Sequence, residues 1–191
     1  MNTLRNNWSS RVRLPLTAGC YIAGLGLATT WEHNRPHQLW LDVLAIGLVL
    51  CGVGVRLWAI ATIANRSGKT VTDVGLYSVT RNPLDWGTLL IVLAQCFAWQ
   101  SVSLAVMSLV PVTLYLYGVV PAEERLLRAR FGEAYDHYRS RVPRWWPLWS
   151  AYVRDESLNF RTAGFRKEVR LDLCWITLTA IACWYASIAN S

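Results

Sequence analysis

Charge is scarce in this chain. Of its 191 residues only 16% are Asp, Glu, Lys or Arg, against about a quarter in an average globular domain. Hydrophobic residues make up 53% and include 11 Trp, and the mean hydropathy is +0.24. That balance excludes a disordered chain and is wrong for a freely soluble one. Acidic residues are the scarcer sign: 12 Asp and Glu face 19 Lys and Arg, for a net charge of +7. On a soluble chain such an excess points to nucleic acid. On an apolar chain it points to an anionic membrane surface, and no nucleic-acid partner is expected. Cysteines number five, an odd count. Cys20, Cys51, Cys96, Cys174 and Cys183 each sit in an apolar run, none near another Cys or a His, so neither a disulfide framework nor a metal site is expected. No strand–helix alternation and no Gly-x-Gly-x-x-Gly occur, which excludes the soluble nucleotide-binding fold. His33, His37 and His137 fall in an outer loop and on a basic helix, poor places for a catalytic base.

What is present is a series of long apolar runs. Crossing the hydrocarbon core takes about 20 residues as a helix. Residues 14–31, 39–64, 84–99, 101–120 and 171–189 are the candidates. Run 84–99 is short for a crossing and carries Gln95; with 101–120 it reads as an antiparallel hairpin. Basic residues alternate along this series. Arg5, Arg11 and Arg13 precede the first run and only Arg35 follows it. Arg66, Lys69 and Arg81 lie after the second, and the hairpin tip has none. Eleven basic residues lie in 122–170. The alternation predicts five crossings, the N-terminus cytoplasmic and the C-terminus opposite. A single all-α domain over residues 1–191 is expected, multi-pass in the inner membrane of a bacterium.

Polar chemistry then concentrates on the cytoplasmic side, in residues 65–87 and 122–170. The spacing of Leu126, Leu127, Phe131, Tyr135 and Tyr138 predicts one amphipathic helix over 121–141. Pro121 suits its first turn, and Glu123 and Glu124 suit its positive end. Trp145, Trp146, Trp149 and Tyr152 follow, a cluster that belongs at the headgroup level.

Two of these stretches carry a resemblance. Gly75-Leu76-Tyr77, then Arg81-Asn82-Pro83-Leu84-Asp85-Trp86-Gly87, resembles the signature of the isoprenylcysteine carboxyl methyltransferase and phospholipid methyltransferase superfamily. Glu123-Glu124-Arg125-Leu126-Leu127, then Phe131-Gly132-Glu133-Ala134-Tyr135-Asp136-His137-Tyr138 and Val142-Pro143-Arg144, is similar to its second half. The likeness covers residues 69–144, leaving 145–191 as a basic segment and a last helix. Asp85 stands where that family usually has Tyr, and Asn82 where it has His or Asn.

The resemblance implies a membrane methyltransferase using S-adenosylmethionine at a cytoplasmic pocket. It implies cofactor contacts at Lys69, Gly75, Tyr77, Arg81, Asn82, Pro83, Asp85, Glu123, Glu124 and Tyr138, with Arg81 and Glu124 as the catalytic pair. The chemistry of these side chains agrees. Glu123 and Glu124 suit an ammonium or hydroxyls, Arg81 or Lys69 a carboxylate, and the tyrosine rings a sulfonium. Asp85 suits a ribose hydroxyl or an ammonium. Arg56, Arg139, Arg144, Trp145 and Arg166 are expected to meet the acceptor, a membrane lipid or lipidated group with a phosphate, amine or carboxylate.

Plainer readings stand beside these. The Glu pair serves a helix dipole, Asn82-Pro83 is only a turn, Arg56 snorkels to the headgroups, and the basic run 161–170 anchors to the membrane surface. A prenylcysteine carboxylate is the alternative acceptor. An NADPH-dependent sterol-type reductase is the competing enzyme, and a non-enzymatic membrane protein the third class.

Overall fold

A computed structural model describes residues 35–64, 70–100, 102–156, 158 and 163–189. Expectations for the run 14–31 and for Lys69 fall outside the described residues. The architecture is helical: α1 (Arg35–Ala64), α2 (Leu76–Val79), α3 (Pro83–Trp99), α4 (Val102–Leu114), a π-helical turn (Tyr115–Val119), α5 (Val120–Phe131), α6 (Glu133–Arg141), a 3-10 turn (Trp149–Ala151) and α7 (Ala163–Ala189). Among the described residues the only extended pairing is one antiparallel bridge, Gly75 with Val153.

Two helices are long and apolar enough to cross a membrane: Leu39–Ala64 and the continuous stretch Val102–Phe131. Pro83–Trp99 is apolar but shorter. The described structure therefore supports a membrane protein, with two crossings by length and composition where the sequence predicted five. Helix α7 covers the fifth predicted run, but its first turns carry Arg166, Lys167, Glu168 and Arg170.

The expected helix over 121–141 is corrected in two respects. Gly132, at φ 53°, breaks it into α5 and α6. At its other end α5 is no free terminus, because it continues from α4 through the π turn. Proline lacks an N–H and its ring crowds the carbonyl four residues earlier, which for Pro121 is Tyr117, inside that wider turn. Glu123 and Glu124 thus do not sit at a helix's positive end, and the dipole reading loses its basis.

The chain divides into two compact units. In the first, whose described residues are 35–51, 89–121 and 174–189, Ala45, Ala98 and Ala182 form a close-packed core with Phe97, Trp99 and Cys183 against it. Gln95 donates to Thr179 Oγ1 at 2.7 Å, so its amide is satisfied among apolar helices. The second unit, residues 52–88 and 122–173, holds both halves of the motif.

Candidate functional site

The first half of the motif forms a short scaffold. Gly75 adopts φ 57°, a conformation that favours glycine, and a Cβ there would lie 3.0 Å from Thr62 Oγ1. Its N–H donates to Val153 O at 2.7 Å. The carbonyl of Asn82 accepts the N–H groups of Asp85 and Trp86, and Pro83 is the first residue of α3. Proline suits that position because its N–H has no partner in a first turn. Asn82-Pro83 is therefore a helix start, as the plainer reading held.

The second half lies along the first. The Arg81 N–H donates to Pro143 O at 3.0 Å and the Leu148 N–H to Val79 O at 3.0 Å. Thr80 Oγ1 donates to Arg144 O at 3.1 Å. Trp86 Nε1 donates to Trp145 O, and the Val153 N–H to Ser78 Oγ at 2.9 Å. Residues 143–153 form a strap pinned to 75–86 mainly through its backbone atoms. Trp146 and Trp149 are exposed.

This pairing delivers Arg144 and Arg81 to one carboxylate. Glu124 accepts from Arg144 Nε at 3.1 Å, and its other oxygen from Arg144 Nη2. Arg81 Nη1 lies 3.3 Å from Glu124 Oε1. The Glu124 side chain is 9% exposed and that of Arg81 10%, so these two charges are largely shielded from water, while Arg144 is 33% exposed. The hydrogen bonds to Glu124 raise the pKa of Arg144. Arg81 Nε and Nη1 are buried without a hydrogen-bond partner.

Two tyrosines of α6 back this cluster. Tyr138 is buried and its hydroxyl donates to Tyr77 O at 2.8 Å. Tyr135 is buried beside it, ring centroids 6.0 Å apart. Burial raises the pKa of both phenols, and the Glu124 charge pushes Tyr135 further up while Arg81 pulls it back. Tyr135 was read from the sequence as part of an apolar face and of the motif's second half, but not as a site residue. Its place three residues before Tyr138, on the same face of a helix, was the available signal.

Beside Arg81 lies an open cleft of about 430 Å³. With Arg81 it is lined by Arg139, Ser140 and Arg141 from the end of α6 and by Trp146, Pro147 and Leu148 from the strap. Of these only Arg81 and Arg139 were expected from the sequence. Arg144 is instead committed to Glu124, and half-buried Trp145 contributes its carbonyl to Trp86. Asp85 is buried in the first turn of α3, and Glu123 is half-buried one residue before Glu124.

Arg56 is placed in a separate cluster. Its Nε donates to Asp172 Oδ1 at 2.9 Å, Nη1 to Thr88 Oγ1 at 2.7 Å, and Nη2 to Glu168 Oε2 at 2.6 Å. These contacts join α1, α3 and α7. Gly87 permits them, because a Cβ there would lie 2.5 Å from Arg56 Cγ and 2.7 Å from Gly52 O. Neither the snorkelling reading nor an acceptor contact draws on this arrangement. Arg166 is exposed on α7 and takes part in neither cluster. Among the described residues no group of three or more His, Cys, Asp or Glu is placed to share a metal ion.

The chain matches known proteins in the same region. The profile of the phospholipid methyltransferase family matches residues 40–134. A cobalt-zinc-cadmium resistance protein, CzcN, of Cupriavidus metallidurans is 25% identical over 153 residues, 78% of this chain and 70% of that protein. A nickel-cobalt-cadmium resistance protein, NccN, of Alcaligenes xylosoxydans xylosoxydans is 23% identical over 151 residues, 79% of this chain and 70% of that protein. No solved structure matches. With that profile covering the first motif half and reaching into the second, and the fold bringing the two together at Glu124, the chain belongs to the isoprenylcysteine/phospholipid methyltransferase superfamily.

Proposed function

We propose that this chain is a membrane methyltransferase that takes a methyl group from S-adenosylmethionine and gives it to a membrane-embedded lipid or lipid-like acceptor. The observation that carries the reading is the Arg81–Glu124–Arg144 cluster at the junction of the two motif halves, in which Arg81 Nε is buried without a hydrogen-bond partner.

The donor set fits the cofactor. The Arg81 guanidinium, whose Nε has no hydrogen-bond partner, fits an anionic group, the cofactor carboxylate or an anion on the acceptor. Asp85 and Glu123 offer carboxylates for an ammonium or a ribose hydroxyl. Tyr138 donates its hydroxyl to Tyr77 O, so its ring is what remains for a cation. When bound, the cofactor supplies an electrophilic methyl group on a sulfonium. The residues of this chain then have two tasks, to place the acceptor in line and to keep water away. Glu124 holds Arg81 and Arg144 in place. The strap 143–153 covers the start of α3. In this reading the site lies on the cytoplasmic side, where the cofactor is available, and the acceptor arrives from the bilayer of a bacterial inner membrane.

A labelled-methyl assay on membranes containing the protein, with the product identified by mass, tests the proposal. Because two relatives are named for resistance to cobalt and cadmium, membranes from cells grown with and without those metals are both assayed. Transfer to a lipid fraction is the expected result, and no transfer to any lipid or prenylcysteine analogue overturns it. S-adenosylhomocysteine is expected to raise the unfolding temperature of the purified protein and NADPH to leave it unchanged. The reverse pattern would establish the reductase reading.

A further inference from the structure

The strap carries more bare apolar surface than a loop facing water. Trp146 is 79% exposed and Trp149 65%, and Leu148, Tyr152 and Val153 are exposed beside them. A contiguous run of this kind on a folded unit marks a face that something covers. Its backbone, by contrast, is largely paired. The N–H groups of Leu148 and Val153 donate to Val79 O and Ser78 Oγ, and those of Ala151 and Tyr152 close the 3-10 turn. The carbonyls of Trp145 and Val153 accept from Trp86 Nε1 and the Gly75 N–H. A segment whose peptide groups are satisfied within the protein can leave water without stranding them.

Two aromatic contacts fix the depth at which the strap lies. The Tyr152 ring stands 6.2 Å from that of Trp58 on α1, edge to face, and the Trp146 ring 6.4 Å from that of Trp86 on α3. Trp58 lies near the C-terminal end of the 26-residue span Leu39–Ala64. At 1.5 Å per residue that span is about 39 Å long, against a hydrocarbon core of about 30 Å. The surplus brings Trp58 to the boundary between hydrocarbon and headgroups, the depth at which Trp and Tyr collect. Trp86 is in the first turn of the apolar helix α3, so the second contact is also made at a helix end. Trp58, Trp86 and the strap all belong to the second unit. Exposed Arg139 and Arg154 flank the strap in the sequence, on the two sides of its apolar run. Cations placed beside a headgroup-depth segment suit an anionic leaflet.

We propose that residues 146–153 lie in the headgroup layer of the membrane that α1 crosses, with Trp146, Leu148 and Trp149 inserted and Arg139 and Arg154 at its anionic surface. The partner is the leaflet as a surface, not one lipid in a pocket, and the interaction is independent of methyl transfer. Residues 75–86, bonded to the strap, share its depth.

The test uses the full-length protein labelled with fluorotryptophan, one copy per lipid nanodisc of phosphatidylcholine mixed with phosphatidylglycerol. Trp146→Phe and Trp149→Phe each remove one of the 11 tryptophan resonances and so assign it. Both side chains are exposed, so both variants are expected to fold, and the unfolding temperature checks this. A lipid carrying a nitroxide near the headgroup end of its acyl chain is expected to broaden both resonances more than a water-soluble gadolinium chelate does. Greater loss of signal to the chelate puts the strap in water and overturns the proposal. Loss to neither probe means that protein covers the face, and overturns it as well. Arg139→Gln/Arg154→Gln is expected to reduce the broadening by the lipid probe in discs with phosphatidylglycerol and not in discs of phosphatidylcholine alone. Equal broadening of wild type and double variant in both discs overturns the electrostatic half.

Discussion

Glu124→Gln is the substitution that the geometry makes most informative. It keeps shape and removes one negative charge, leaving the Arg144 and Arg81 guanidinium groups together without their shared counter-ion. Removing one partner of a buried ion pair costs roughly 3–5 kcal/mol. Arg81 meets the condition of burial, at 10% exposed, but Arg144 is 33% exposed and water can take over part of its solvation. The expected loss is therefore about 2–3 kcal/mol. For a chain of this length that lowers the unfolding temperature by roughly 4–12 °C. Thermal unfolding in detergent, followed by tryptophan fluorescence, reads this directly. Arg144→Met supplies the second edge of a double-mutant cycle, and residues that touch are expected to be strongly non-additive. S-adenosylhomocysteine affinity is expected to fall about tenfold or more in Glu124→Gln, because Arg81 loses the group that orients it. A wild-type unfolding temperature together with strict additivity would refute the reasoning, for then Glu124 does not bind the two motif halves together.

Three further outcomes are expected. Arg56→Met strands Glu168 and Asp172, the latter 1% exposed, and should destabilise by about 3–5 kcal/mol, while Arg56→Lys, with fewer donors, should lose part of that; equal stability of all three proteins removes the cluster as a fastener. Gly87→Ala places a methyl group 2.7 Å from Gly52 O, a backbone atom that cannot swing aside, and should cost about 1–3 kcal/mol or more in the same melting assay. Burial raises the Tyr138 phenol above its ordinary 10.0, so the folded state keeps a proton that the unfolded state releases. That stability is full below pH 10.0 and declines as pH rises beyond it. Unfolding temperatures measured across that range should fall less steeply for Tyr138→Phe, and identical slopes would contradict the assignment.

The parts of the fold legible in the sequence are those set by local pattern. Apolar runs gave the helices Leu39–Ala64, Pro83–Trp99 and Val102–Leu114 because a long, mostly apolar stretch has few other ways to satisfy its backbone. The break at Gly132 was less visible, since the apolar spacing continues across it from Phe131 to Tyr135. Only the φ of 53° shows that glycine is there for its backbone rather than for space: a Cβ at that position would meet nothing within 4 Å. The π turn before Pro121 was equally hidden. Proline in the first turn of a helix and proline inside a longer helix read alike until the preceding carbonyls are placed.

The site divides along a similar line. Side chains that the motif brings close in sequence were readable, but their partners were not, because ion pairs are chosen by tertiary contact. Arg144 and Glu124 lie 20 residues apart and Arg56 and Asp172 lie 116 apart. No periodicity joins either pair. The consequence is an exchange of expected roles. Arg144 and Arg56 were expected at the acceptor, yet each is consumed by carboxylates, while exposed Arg141 and Ser140, unremarked in the sequence, line the open cleft with Arg139. Burial decides which arginine does what. A guanidinium removed from water must be paired, so the shielded ones become fasteners. The exposed ones keep their hydration and are free to exchange it for a ligand. Arg81 stands between these classes, being shielded, bound to Glu124 on one nitrogen only, and open to the cleft. Arg81→Lys, which keeps the charge but not the fork, is expected to cut turnover in the labelled-methyl assay while leaving the Glu124–Arg144 pair and the unfolding temperature near wild type; full activity in the lysine variant would remove Arg81 from the site.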